Sequence, residues 1–106
     1  MSNKNIGILY DFDKTLSPKD MQEYGFIPSI GLEGDEFWSM SNALSVKHGM
    51  DRILSYMYLM IKQAKKNDIP ITRKAFNELG KDVILFDGVL DWFDRINEYG
   101  NSLGFN

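Results

Sequence analysis

Cysteine is missing from this chain of 106 residues, which excludes disulfides, thiolate metal sites and a cysteine nucleophile. Long apolar runs are missing as well: no stretch approaches eighteen apolar residues, and the opening MSNKNIGILY holds too short a run for a signal peptide. No membrane partner is expected, and the cytoplasm is the default location. A basic excess is also lacking. Twelve lysines and arginines against fifteen aspartates and glutamates give a formal net charge of -3, which argues against a nucleic-acid footprint. Lys62, Lys65 and Lys66 form the only local basic group, and near the C-terminus of a predicted helix they suit the helix dipole and a solvated face. Histidine occurs once, as His48 before Gly49 at a predicted helix end, where an imidazole ordinarily meets free carbonyls or solvent.

What is present is the composition of a globular protein, 43% hydrophobic, 13% aromatic and 25% charged, with no disorder signature. The length suits one compact domain that buries roughly two-thirds of its unfolded surface. Asn5 to Tyr10 reads as a short buried strand, because Ile6, Ile8 and Leu9 form an apolar block with a β-branched bias before a turn-rich stretch. Residues 17–34, with Pro18, Gly25, Pro28, Gly31 and Gly34, read as linker-like chain holding at most a helical turn around Asp20 to Tyr24.

Helical patterning follows. One helix is predicted from Asp35 as N-cap to Gly49, with Phe37, Met40 and Leu44 on its apolar stripe. A longer one starts at Asp51, turns Ile53, Met57, Ile61 and Ala64 inward, and ends near Asp68 before Pro70. A third starts at Thr72, carries Ala75, Phe76 and Leu79 inward and ends near Gly80 or a few residues later. A fourth begins after Asp87 as cap, shows Val89, Leu90, Phe93 and Ile96 on one stripe and stops at Gly100. Val83 to Phe86 and Ser102 to Phe105 are the remaining short segments that can pair with the first strand.

The stretch GILYDFDKTLS, Gly7 to Ser17, sets two carboxylates one residue apart at the end of the apolar run, with Thr15 two places on. Alternate residues of an extended strand share a side, so Asp11 and Asp13 are expected to face one crevice beyond its C-terminal end. Two carboxylates there need a cation, and a hard oxygen site suits magnesium. Asp and Thr after a strand are also ordinary turn formers and caps. The stretch resembles the first signature of the haloacid dehalogenase superfamily, an apolar strand followed by D-x-D-x-T, with Asp11, Asp13, Thr15 and Leu16 all matching.

The resemblance implies a magnesium-dependent phosphatase that hydrolyses phosphomonoesters through an aspartyl phosphate. In that scheme Asp11 is the nucleophile and a metal ligand. Asp13 is the general acid and base, and its backbone carbonyl also binds the metal. Thr15 orients the loop through its hydroxyl. The expected fold class is α/β, a Rossmann-type parent fold whose visible part is mostly helical and whose sheet is incomplete. Its parts are a first core strand and catalytic loop over residues 1–16, a helical cap insertion over 17–86, and a return helix over 87–106, matched by FDGVLDWFDRINEYG.

The superfamily also needs a Ser or Thr on a second strand, a Lys and further acids, and no residues here take those places. The chain is therefore expected to be the N-terminal part of a longer phosphatase, nearly inactive alone. Its expected partners are a small phosphorylated substrate, the C-terminal part of the same protein and, through an exposed strand edge, a second copy of itself. Lys74 and Lys81 are not assigned catalytic work; Asp82, Asp87, Asp91 and Asp94 crowd one region, where Asp87 is read as a helix cap and Asp91 as favourably placed near that helix's positive end. The alternative function is a non-catalytic regulatory or interaction module whose Asp pair binds a metal or phosphate.

Overall fold

Helix boundaries in this chain are written by short polar residues and by left-handed turns. The Asp51 carboxylate accepts from the Ile53 N–H at 2.8 Å and the Leu54 N–H at 3.4 Å, and the Thr72 hydroxyl accepts from the Ala75 N–H at 3.1 Å. Each satisfies donors that a first helical turn leaves open. Gly49 ends one helix with φ +61°, where a Cβ would be strained, and the Met50 N–H reaches back to the Ser45 carbonyl. Asp68 ends the next in the same way at φ +56°, with the Ile69 N–H on the Ala64 carbonyl at 2.8 Å, a position that Asp tolerates better than most residues.

The computed structural model describes residues 4–106. They form five α-helices: α1 Phe26–Ser29, α2 Gly34–His48, α3 Arg52–Lys66, α4 Arg73–Leu79 and α5 Val89–Ser102, with 3₁₀ turns at Met21–Glu23 and Gly80–Asp82. The chain divides into two units. One is Met21–Val83, and the described part of the other takes in residues 4–20 and 84–106.

In the Met21–Val83 unit the core is built by Phe26, Ile27 and Ile30 at α1, Phe37 on α2, and Leu59 and Ala64 on α3. Phe37 is fully buried and meets Trp38 edge-on at 5.1 Å, and Trp38 in turn meets Tyr56 edge-on at 5.7 Å. Asp35 and Glu36 in the first turn of α2 and Lys47 and His48 in its last complement the helix dipole. Ser55 and Ser41 are buried with the apolar residues, and the Ser55 hydroxyl donates to the Asp51 carbonyl at 2.9 Å.

Several expectations are corrected. The α/β fold class does not hold: among the described residues there is no strand and no sheet, only the isolated bridges Lys4↔Phe105 and Asp13↔Ser17. Among the described residues the backbone of the expected strand from Asn5 to Tyr10 pairs only with the chain end, where the Asn106 N–H donates to the neighbouring Lys4 C=O at 2.9 Å and the Ile6 N–H to the Asn106 C=O at 3.0 Å. A ladder needs a partner along its length, and this one has a partner for its first residues alone. Ile6, Ile8 and Leu9 are consequently exposed, Leu9 at 99%. Without a core sheet, the Rossmann-type architecture implied by the haloacid dehalogenase resemblance is overturned. Residues 1–3 of the expected strand-and-loop segment lie outside the described residues.

Element details also shift. On α3 the predicted inward stripe is rotated: Ile53, Met57 and Ile61 face solvent, and Ser55, Leu59, Gln63 and Ala64 are buried. Glu33, not Asp35, precedes α2, and Gly88 at φ +87°, not Asp87, precedes α5. Gly100 lies inside α5, which runs on to Ser102.

Candidate functional site

The Asp11 to Ser17 turn is organised around one backbone carbonyl. The Phe12 C=O accepts from the N–H groups of Thr15, Leu16 and Ser17 at 3.1, 2.9 and 3.3 Å, and Lys14 sits in the left-handed region at φ +60°. The Thr15 hydroxyl donates to Asp11 Oδ2 at 3.3 Å, so these two predicted site residues do meet. Asp13 is half-buried and bridges to Ser17, whereas Asp11 is exposed. Lys14 Nζ lies 3.7 Å from Asp20, and the Leu16 carbonyl accepts from the Phe86 N–H at 2.9 Å.

This geometry is that of a braced turn. Among the described residues no group of three or more His, Asp or Glu side chains is placed to hold a metal ion, so Asp11 and Asp13 do not gather the further acids that a phosphoryl-transfer site requires. No step is derived through a cation or a phosphate here. An aspartyl-phosphate route also depends on a sheet to hold the nucleophile at a strand end, and that scaffold is absent among the described residues. The assignment as a magnesium-dependent phosphatase, and with it a haloacid dehalogenase-like hydrolase using a phosphoaspartate and a metal site, is therefore corrected: the fold gives it no support.

A larger feature lies on the same unit. Ile6, Ile8 and Tyr10, alternate residues of the N-terminal arm, and Phe93, Ile96 and Leu103 around α5 line an open apolar groove of about 680 Å³. Ile6, Ile8 and Tyr10 share the groove side of the arm, and Leu9 between them lies outside the groove. The arm is held to α5 by the Trp92 indole N–H donating to the Tyr10 hydroxyl at 2.8 Å and by Tyr10 meeting Phe93 edge-on at 5.3 Å. Arg95 lies over the Trp92 ring, 5.4 Å from its centroid, and pairs with Asp91 at 3.4 Å.

Charge is unevenly placed. Residues 4–20 and 84–106 carry seven carboxylates against four lysines and arginines, and Met21–Val83 carries eight against eight, so the net -3 belongs to the grooved unit. Asp94 and Glu98, both exposed, directly follow the groove residues Phe93 and Asn97 on α5. Sequence reading missed the pairing of Tyr10 with Trp92, which are 82 residues apart and carry no joint local signal. No described helix is long and apolar enough to cross a membrane.

The fold and site together define a small helical module with an open apolar groove on the unit that carries the net negative charge. No protein-family model, no curated protein and no solved structure matches the chain.

Proposed function

We propose that this chain is an interaction module whose grooved unit docks a polypeptide segment carrying apolar side chains flanked by basic residues. The observation that carries the reading is that none of the apolar side chains described in this unit is fully buried: its one buried residue is Ser17, and Leu9 and Leu90 are 99% and 88% exposed. Contiguous open apolar surface bordered by polar residues is what protein contacts use, because burial of that surface is the main favourable term in association. Tyr10, Phe93 and Tyr99 in the groove add the aromatic anchors on which interface energy concentrates. The net negative charge of the unit favours a basic partner, speeds its encounter and disfavours a second copy of the same acidic unit.

An array of immobilised peptides tests this directly. Peptides of alternating valine and lysine should capture the chain, their valine–glutamate counterparts should not, and capture should weaken as salt rises. Ile8→Asp and Phe93→Asp should each lower capture at least tenfold while the helical circular dichroism persists. Equal capture of basic and acidic peptides, or undiminished capture by both variants, would remove the proposal.

A further inference from the structure

Side chains four apart on a helix lie one above the other, and on α3 this spacing writes two neighbouring rows. Ile53, Met57 and Ile61 make one row, which ends in Lys65. Leu54 and Tyr58 make the other, which ends in Lys62 and Lys66. The five apolar residues are each 45% to 59% exposed, whereas Leu59 and Ala64 on the opposite side of the helix are buried. This second apolar face is left half in solvent.

Charge sets α3 apart from the rest of the chain. In a protein of net charge -3, the helix holds Arg52, Lys62, Lys65 and Lys66 and no aspartate or glutamate. None of these four cations is in an ion pair among the described residues, and the acids nearest in sequence, Asp51 and Asp68, stand beyond the two ends of the helix. The helix dipole accounts for lysines in a last turn, but not for apolar rows that lead into them. Apolar rows ending in unpaired cations fit a surface that is apolar within and anionic at its edge, as a bilayer with acidic headgroups is.

We infer that the outer face of α3 docks on an anionic membrane surface, with its two apolar rows at the acyl boundary and Lys62, Lys65 and Lys66 among the headgroups. Lysine stems reach from an apolar contact to the headgroup level, and the ring and hydroxyl of Tyr58 suit the same boundary. No spanning run is needed, because a helix that lies in the interface uses one apolar face. A protein partner fits less well: interface anchors seat in pockets, and of the five apolar residues only Met57 lines a described cleft. The inference is independent of peptide docking, because no residue of α3 lines the groove.

Cosedimentation of the full chain with phosphatidylcholine vesicles, with and without about 30 mol% phosphatidylserine, reads this out. At low salt the anionic vesicles should bind the chain about tenfold more tightly or better, since each lysine near such a surface contributes about fivefold, and the preference should shrink as salt rises. Tyr58→Asp and Ile61→Asp, both at exposed positions, should each weaken that binding about tenfold while the helical circular dichroism persists. Lys62→Gln, Lys65→Gln and Lys66→Gln combined should bring the anionic vesicles to the level of the neutral ones, and Ile8→Asp, in the groove, should change neither. Equal binding to the two vesicles, binding to neither, or a preference undiminished by Tyr58→Asp and Ile61→Asp would overturn the inference. Capture by a helical peptide with a glutamate-ended apolar stripe, with no binding to vesicles, would give this face to a protein instead.

Discussion

At the scale of single residues, Asp51 and Gln22 stand at opposite ends of polar satisfaction. The Asp51 carboxylate, exposed and at the start of α3, holds two backbone N–H groups that no carbonyl reaches. Asp51→Ala should therefore cost about 1 kcal/mol, as N-cap losses do, read as a lower urea midpoint with an unchanged slope. The Trp38 indole N–H, like the Gln22 oxygen, is buried without a partner among the described residues. Trp38→Phe removes that donor and keeps a ring against Phe37 and Tyr56, so the midpoint should fall by less than removal of an equally buried, well-paired tryptophan would cause. Asp51 was legible as a cap from its place before an apolar-periodic run. Gln22 was not, because nothing in its immediate sequence marks its amide oxygen as buried.

At the scale of elements, α3 shows how far periodicity reaches. Its sequence supports two apolar stripes, one through Ile53, Met57 and Ile61 and another through Tyr56, Leu59 and Met60, and nothing local ranks them. Packing against α2 chose the second, and Ser55 is buried on the same side. Leu59→Ala should cost about 2 to 5 kcal/mol, whereas Met57→Ala, at a side chain half in solvent, should cost much less; equilibrium unfolding of the pair would check the assignment of faces. α1 was hidden for a different reason. Phe26, Ile27 and Ile30 supply half of the buried apolar set from a stretch with Gly25, Pro28 and Gly31, too short to display a helical period and too rich in turn residues to suggest one.

At the scale of the whole molecule, one unit holds the buried apolar core and balanced charge, and the other holds the net charge and the open apolar groove. Such a distribution suits a surface awaiting a basic partner. Light scattering at low salt should give the mass of one chain, because two copies of a unit carrying the net -3 repel across that surface; a concentration-dependent dimer there would assign the groove to a second copy instead. Raising salt weakens that repulsion, so any self-association should grow with ionic strength, the reverse of the expected trend for the basic peptide.

The amino-acid sequence by itself determined the helical segments α2 to α5 within a few residues, the caps at Asp51 and Thr72 and the left-handed stop at Gly49, because each depends on neighbours within one or two turns. It also brought Asp11 and Thr15 together, a contact four residues long. Only the tertiary structure decided that Asn5 to Tyr10 is an open arm and not a strand in a sheet, since a strand exists by virtue of its neighbours and these supply hydrogen bonds to its first residues alone. The same dependence on distant partners decided which stripe of α3 is buried, and it left the terminal apolar residues lining a groove.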